Sequence, residues 1–174
     1  MKNLPFYLTL SRIVCAPLLL IVFFSDASWA WWSTVVVFIA LSITDYFDGH
    51  LARKYNVVSN FGKYFDPTGD KILVLFALII LVHFKGAHPA FLLILLSRDI
   101  LIGSLRSYAA ASGLVLAARP LGKIKTTLQM VAIPMMLAPG LLNIPFYTIG
   151  TWVLWAACFI SIFSLIDYSL QLKK

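Results

Sequence analysis

The chain has 174 residues, of which 61% are hydrophobic and only 12% are charged, and its mean hydropathy is +0.91. Because a soluble domain usually carries about a quarter charged residues, this composition excludes an ordinary soluble globular protein. The net charge of +7 does not indicate a nucleic-acid-binding protein, since the basic residues are scattered over loops and helix ends. The cysteines Cys15 and Cys158 both lie in apolar segments, which excludes a disulfide framework and a cysteine metal site.

Six apolar blocks follow one another along the chain, separated by short segments that contain Gly, Pro, Ser or charged residues. They cover approximately residues 8–25, 30–48, 66–84, 89–112, 122–139 and 144–170. Each approaches the roughly 20 residues that a helix needs to span a bilayer. We therefore expect one all-α integral membrane domain, residues 1–174, built as a bundle of six transmembrane helices. Residues 1–7 are expected to lie along the membrane interface.

The distribution of basic residues predicts the orientation of this bundle. An even number of spans places both termini on one side of the membrane. The basic residues on that side are Lys2, Arg53, Lys54, Lys63, Arg119, Lys123, Lys125, Lys173 and Lys174, whereas the opposite loops contain only Lys85. Because cytoplasmic loops carry an excess of Lys and Arg, we expect a multi-pass protein of the plasma (inner) membrane with both termini in the cytoplasm.

Two pairs of aspartates lie where the second block ends and the third begins. Asp45 and Asp48 are three residues apart, and Asp66 and Asp70 are four apart. Either spacing puts both carboxylates on one face of a helix. If the two helices are neighbours, the pairs can converge.

The depth of the second pair favours a functional role. Only eleven apolar residues separate Lys71 from His83, which is about 16 Å of helix against a hydrocarbon core of about 30 Å. The third helix must therefore begin earlier, near residues 62–66, and this draws Asp66 and Asp70 to membrane depth. Charged groups at that depth are costly and are functional candidates by default.

Four neighbouring carboxylates repel one another unless a cation balances them. Oxygen ligands suit hard divalent ions such as Mg²⁺, Mn²⁺ or Ca²⁺, and one or two such ions can bind a diphosphate and favour its leaving group. The simpler interpretation is that the aspartates cap helices or pair with Arg53, Lys63 and Lys71. Two convergent pairs at membrane depth favour the metal site.

The same residues resemble the signature of the CDP-alcohol phosphatidyltransferase family, Asp-x2-Asp-Gly-x2-Ala-Arg-x8-Gly-x3-Asp-x3-Asp. Its eight positions are Asp45, Asp48, Gly49, Ala52, Arg53, Gly62, Asp66 and Asp70, all with the expected identity and spacing. The resemblance implies a homodimer of six-helix subunits that use one or two Mg²⁺ or Mn²⁺ ions per active site. It also implies attack of an alcohol on the β-phosphorus of a CDP-linked lipid, with release of CMP on the cytoplasmic side.

The resemblance further implies a role for each signature residue. Asp45, Asp48 and Asp66 are expected to be metal ligands, and Asp70 to complete the metal site and act as general base. The CDP-lipid pocket is expected to involve Asp45, Gly49, Ala52, Arg53 and Gly62.

Basic residues in the later blocks are candidates for binding a phosphate on the acceptor alcohol. Arg106, Arg119, Lys123 and Lys125 form this candidate group, and Arg98 lies nearby beside Asp99. Arginine can bind a phosphate through two parallel hydrogen bonds. The alternatives are an internal Arg98–Asp99 ion pair that stabilises helix packing, and anchoring of the lysines by the positive-inside rule.

The segments 98–106 and 122–130, and the start of the chain from Leu4 to Arg12, are similar to the phosphatidylglycerophosphate synthases within the family. This similarity implies transfer of phosphatidyl from CDP-diacylglycerol to sn-glycerol 3-phosphate. A CMP-forming cardiolipin synthase, with phosphatidylglycerol as acceptor, is the next alternative because it shares the Arg-Asp pair, and an inositol-phosphate acceptor is the third. The non-enzyme alternative is a cation transporter or channel with an intramembrane acidic site.

Overall fold

A computed structural model describes residues 14–25, 27–54, 60–112, 120–138 and 145–171 of the chain. Within these ranges the backbone is described throughout, and the side chains of residues 22–23, 45–54, 60–70 and 171 lie outside the description. All regular structure in the described part is helical, with no strand. The all-α prediction is therefore confirmed for these residues.

Six helices follow in the order expected from the apolar blocks. A short 3₁₀ helix, Ala16–Phe23, is followed by α1 (Ser28–Lys54), α2 (Asn60–Lys85), α3 (Ala90–Ala111), α4 (Pro120–Leu137) and α5 (Phe146–Gln171). The predicted early start of the third helix is confirmed, since α2 begins at Asn60 and includes both Asp66 and Asp70. α1 likewise continues beyond its apolar block to Lys54, so it includes Asp45 and Asp48.

Two helix ends show how local sequence sets these boundaries. Gly86, with φ of 63°, follows the last residue of α2 in the left-handed conformation that glycine adopts without steric cost. The Ala87 N–H then donates to the carbonyl of Leu81 at 3.1 Å, which satisfies one of the carbonyls left open at a helix C-terminus. Pro120 begins α4, where a missing N–H costs nothing.

The core is formed by the inner faces of all six helices, and α4 and α5 have the most extensive mutual packing. Gly150 of α5 lies against α4 so closely that an added Cβ would be 3.0 Å from the carbonyl oxygen of Ala132 and 2.7 Å from Cγ of Met136. Small residues let membrane helices approach in this way. α4 also packs against α1 and α2, and α5 packs against α3.

Large apolar side chains cover the outer surface of α5. Trp152, Phe159 and Phe163 are 71%, 61% and 63% exposed. Within Phe146–Leu170, the most apolar stretch of 18 residues has a mean hydropathy of 2.1, and 33% of that stretch is buried inside the chain. Within the described residues, α5 is the helix that passes a test of length and composition for crossing a membrane, and residues 28–44 form a shorter apolar stretch.

Candidate active site

The two aspartate pairs lie on consecutive antiparallel helices. The Lys85 ammonium at the end of α2 lies 4.2 Å from the ring centroid of Trp31 near the start of α1, and the rings of Trp31 and Phe84 are 5.7 Å apart. At the opposite end, only residues 55–59 separate the end of α1 from the start of α2. The two helices therefore run in opposite directions and contact each other near Trp31.

Helix geometry then brings the two pairs to one level of the bundle. Counted from Trp31, Asp45 and Asp48 are 14 and 17 residues further along α1, or about 21 and 26 Å at 1.5 Å per residue. Counted from Lys85, Asp70 and Asp66 are 15 and 19 residues back along α2, or about 23 and 29 Å. Both pairs belong to the same end of the molecule.

The side chains of all eight signature residues lie outside the described set. The structure gives their helices and levels, and the carboxylate contacts are not described. Among the side chains that are described, no three His, Cys, Asp or Glu residues gather closely enough to hold a metal ion. The predicted metal ligands and the predicted CDP-lipid pocket therefore stay predictions.

An ion-pair cluster joins α3 to α4. The buried Lys125 ammonium donates to both carboxylate oxygens of Asp99, at 2.8 and 2.7 Å, and Lys125 is only 2% exposed. The Arg98 guanidinium donates to the same carboxylate at 2.9 Å, so the internal Arg98–Asp99 ion pair that the sequence offers as an alternative is present. One carboxylate thus holds two cations from two helices.

Lys71 approaches Asp99 from α2. Its ammonium donates to the backbone carbonyl of Asp99 at 3.1 Å. A Cβ added to Gly103, one turn further along α3, would lie 3.4 Å from this ammonium. Lys71 directly follows Asp70, so this contact links the aspartate-bearing helix to the cluster formed by Arg98, Asp99 and Lys125, which we call the Asp99 cluster.

The Arg98 guanidinium makes two hydrogen bonds and lies close to a glycine of α4. Besides its bond to Asp99, it donates to the hydroxyl of the buried Ser164 on α5. A Cβ added to Gly122 on α4 would be 3.3 Å from its Nη2, a separation that few side chains tolerate. Among the described residues, three buried polar atoms have no hydrogen-bond partner, namely Arg98 Nε, Gln129 Nε2 and Ser161 Oγ.

A small cavity connects these groups to the apolar interior. Its polar lining consists of Lys71, Asp99 and Gln129, and leucines of α2 and α3 form most of its apolar walls. The cavity volume is about 10 Å³, which accommodates roughly one water molecule. Gln129, whose Nε2 has no hydrogen-bond partner among the described residues, is one of the residues that line this cavity.

The candidate acceptor-phosphate residues are in three different situations. Arg106 on α3 is exposed, and its guanidinium donates to the hydroxyl of the buried Tyr168 on α5. Lys123 on α4 is exposed, and Lys125 is buried in the Asp99 cluster. Arg119 lies outside the described residues. Arg106 and Lys123 therefore present accessible charge, whereas the charge of Lys125 is partly neutralised by Asp99.

Several partners in this region were not predicted from the sequence. Ser164 and Tyr168 of α5 hold Arg98 and Arg106, and Lys71 bonds a backbone carbonyl. The spacing of Ser164 and Tyr168 could have indicated these contacts, because residues four apart lie on the same face of a helix. The Lys71 contact could not be predicted from the pattern of side chains, because its acceptor is a backbone carbonyl.

Known proteins resemble this chain over nearly its full length. It is 37% identical to the CDP-diacylglycerol–glycerol-3-phosphate 3-phosphatidyltransferase of Rickettsia felis, over 99% of this chain and 97% of the relative. Proteins of the same name from Bacillus subtilis and Shigella flexneri serotype 5b are 38% and 33% identical, over 97% and 95% of this chain and 94% and 92% of the relatives.

The family comparison agrees with the aspartate motif. The family model described as CDP-alcohol phosphatidyltransferase matches residues 2–163, which include both aspartate pairs and the Asp99 cluster. The chain therefore belongs to the CDP-alcohol phosphatidyltransferase family and is a transferase.

Proposed function

We propose that this protein transfers the phosphatidyl group of CDP-diacylglycerol to sn-glycerol 3-phosphate, forming phosphatidylglycerophosphate and CMP. The observation that carries the proposal is the 33–38% identity, over nearly full length, to relatives whose names state this donor and this acceptor. The intact aspartate signature and the accessible charges of Arg106 and Lys123 support it.

The donor set fits a divalent metal ion. Four carboxylates from two adjacent helix ends supply only oxygen ligands, which is the chemistry that Mg²⁺ and Mn²⁺ prefer. Asp45, Asp48, Asp66 and Asp70 would hold one or two such ions. When bound, the ion neutralises the diphosphate and makes CMP a better leaving group.

In the proposed reaction, Asp70 accepts the proton of the acceptor hydroxyl as that oxygen attacks the β-phosphorus. A general base must lie within hydrogen-bond reach of the proton that it removes. The bond between the β-phosphorus and the CMP oxygen breaks as the new P–O bond forms, and CMP leaves. Asp45, Gly49, Ala52, Arg53 and Gly62 would hold the cytidine diphosphate, with the glycines allowing close approach to the backbone.

The acceptor phosphate is assigned to Arg106, Arg119, Lys123 and Lys125. Accessible guanidinium and ammonium groups bind a dianionic phosphate through charge-assisted hydrogen bonds. Arg106 is held in place by Tyr168, which reduces the entropy lost on binding. Lys125 has two of its three N–H donors directed at Asp99, so its part would be mainly long-range attraction.

We further propose that the five α-helices and the N-terminal 3₁₀ helix belong to six membrane spans. The exposed apolar side chains of α5 support this arrangement, because lipid covers such surfaces without cost. In this arrangement the protein is a multi-pass protein of the plasma (inner) membrane, with both termini and the active site facing the cytoplasm. A homodimer follows from the family resemblance.

An acceptor panel tests the proposed reaction. Purified protein in detergent receives CDP-diacylglycerol with Mg²⁺ or Mn²⁺ and, separately, glycerol 3-phosphate, phosphatidylglycerol, inositol phosphate or serine, and release of CMP is measured. We expect metal-dependent release with glycerol 3-phosphate. Preferential release with phosphatidylglycerol or inositol phosphate would replace the acceptor assignment. Cation flux in liposomes without CMP release would reject the transferase mechanism.

A further inference from the structure

The contact between Lys71 and α3 depends on an exposed backbone carbonyl. In an α-helix the carbonyl of residue 99 accepts the N–H of residue 103, and the oxygen has a second lone pair available. The Lys71 ammonium lies 3.1 Å from that oxygen, and it is also the nearest atom to a Cβ built on Gly103, at a contact distance of 3.4 Å. A side chain larger than that of alanine at residue 103 would therefore enter the space of this ammonium. The sequence of α3 thus provides an acceptor site for a cation from α2.

The carboxylate of Asp99 is already engaged by Lys125 and Arg98. The Lys71 bond is therefore a separate third link to the same residue, made through the backbone. Since α3, α4 and α5 are joined to one another by the Asp99 cluster and by the Arg98–Ser164 bond, Lys71 connects α2 to an already fixed unit.

The position of Lys71 makes this link relevant to the reaction. Lys71 is the residue immediately after Asp70 and lies five residues beyond Asp66 in the continuous helix α2. A bond that fixes the rotation and height of Lys71 also fixes the backbone that carries both aspartates. Displacement by about 1 Å of a reacting group can lower a rate by about a hundredfold.

We propose that Lys71 is a positioning residue, which sets the aspartate-bearing turn of α2 by docking on the Asp99 carbonyl at Gly103. The inference rests on the proposed function, because it assigns to Lys71 the placement of the metal-binding and basic carboxylates. Lys71 itself touches neither substrate nor metal in this assignment. A small residue at position 103 belongs to the same contact, because a side chain larger than that of alanine would occupy the space of the Lys71 ammonium.

Two matched pairs of variants test the proposal. Lys71→Met removes the donor, and Lys85→Met removes a lysine from the other end of the same helix. Gly103→Val fills the space occupied by the Lys71 ammonium, whereas Gly103→Ala adds only a Cβ at an ordinary contact distance of 3.4 Å. The measurements are kcat, the KM of each substrate, the Mg²⁺ concentration at half-maximal rate, and Mn²⁺ binding followed by electron paramagnetic resonance.

We expect Lys71→Met and Gly103→Val to lower kcat by about 10- to 100-fold and to weaken Mn²⁺ binding several-fold, with the KM for glycerol 3-phosphate unchanged within twofold. Lys85→Met and Gly103→Ala should resemble the wild type in all four measurements. The double variant Lys71→Met/Gly103→Val should be no slower than Lys71→Met alone, because both changes remove one contact.

Three results would overturn the inference. One is wild-type kcat and Mn²⁺ affinity for Lys71→Met, and another is a multiplicative loss in the double variant. The third is a rise confined to the acceptor KM, which would make Lys71 a substrate-binding residue. The Mn²⁺ measurement needs no turnover, so it tests the positioning role even if the acceptor panel rejects glycerol 3-phosphate, and the two failures are distinguishable.

Discussion

The Asp99 cluster predicts that substituting Asp99 and substituting Lys125 lower the free energy of unfolding by different amounts. Asp99 holds two cations, Lys125 and Arg98, whereas Lys125 bonds only the Asp99 carboxylate in the contacts described above. Asp99→Asn leaves a lysine that is 2% exposed without a counter-charge. Lys125→Met replaces that lysine with an apolar side chain of similar length and leaves Asp99 paired with Arg98.

The magnitudes follow from this difference. Breaking a buried ion pair from one side costs about 3–5 kcal/mol, because a buried charge is left uncompensated. The asparagine oxygen still accepts one hydrogen bond, so we expect about 3 kcal/mol for Asp99→Asn. For Lys125→Met we expect about 1.5 kcal/mol, the lower end of the range for hydrogen bonds to a charged group, because Asp99 keeps its bond to Arg98. The double variant should be more stable than Asp99→Asn alone, since it removes the unpaired ammonium.

The free energy of unfolding of the four proteins can be measured by reversible denaturation with sodium dodecyl sulfate in mixed micelles, followed by circular dichroism. Lys85→Met serves as the control for the loss of a lysine outside the cluster. The reasoning is refuted if Lys125→Met destabilises the protein as much as Asp99→Asn, or if the two effects simply add in the double variant.

Three further predictions concern catalysis, the acceptor and helix packing. Asp70→Asn should abolish turnover while the protein stays folded and still binds CDP-diacylglycerol; wild-type turnover would remove Asp70 as the base. Arg106→Ala should raise the KM for glycerol 3-phosphate more than that for CDP-diacylglycerol, and equal increases would contradict the acceptor-phosphate assignment. Gly150→Ala should destabilise the protein by about 1 kcal/mol, because an overpacking cost of about 1–3 kcal/mol exceeds the gain in helix propensity of about 1 kcal/mol. Its carbonyl neighbour, Ala132, cannot move aside; stability equal to or above wild type in the same denaturation assay would show that α4 and α5 are less tightly packed.

Much of the fold follows from hydrophobic block length and bilayer thickness. The six blocks predict the order of the helices, and the short apolar run after Lys71 predicts an early start for α2, which the helix confirms by beginning at Asn60. The first block is described only from residue 14 onward and contains a 3₁₀ helix, Ala16–Phe23. This 3₁₀ helix has Pro17 in its first turn. The Thr34 hydroxyl of α1 donates to its Leu19 carbonyl.

The contacts between helices were less accessible to sequence reasoning. Arg98 and Asp99 are neighbours in the chain, so the sequence offers their ion pair as an alternative. Lys125 is 26 residues from Asp99, and the sequence predicts a phosphate-binding or anchoring residue there. Whether an inward-facing lysine meets a carboxylate depends on the rotation of α4 against α3, which side-chain pattern does not specify. The aspartate motif, in contrast, was identifiable because all its spacings are local.

The central claim is that one metal site is shared between the end of α1 and the start of α2. The most direct measurement is the stoichiometry and affinity of Mn²⁺ binding to the purified wild type and to Asp48→Asn and Asp66→Asn, one substitution on each helix. A shared site predicts that either substitution weakens all tight Mn²⁺ binding. Loss of half of the bound Mn²⁺ in each variant, with the remainder at wild-type affinity, would mean that the two pairs bind ions separately and would contradict the account.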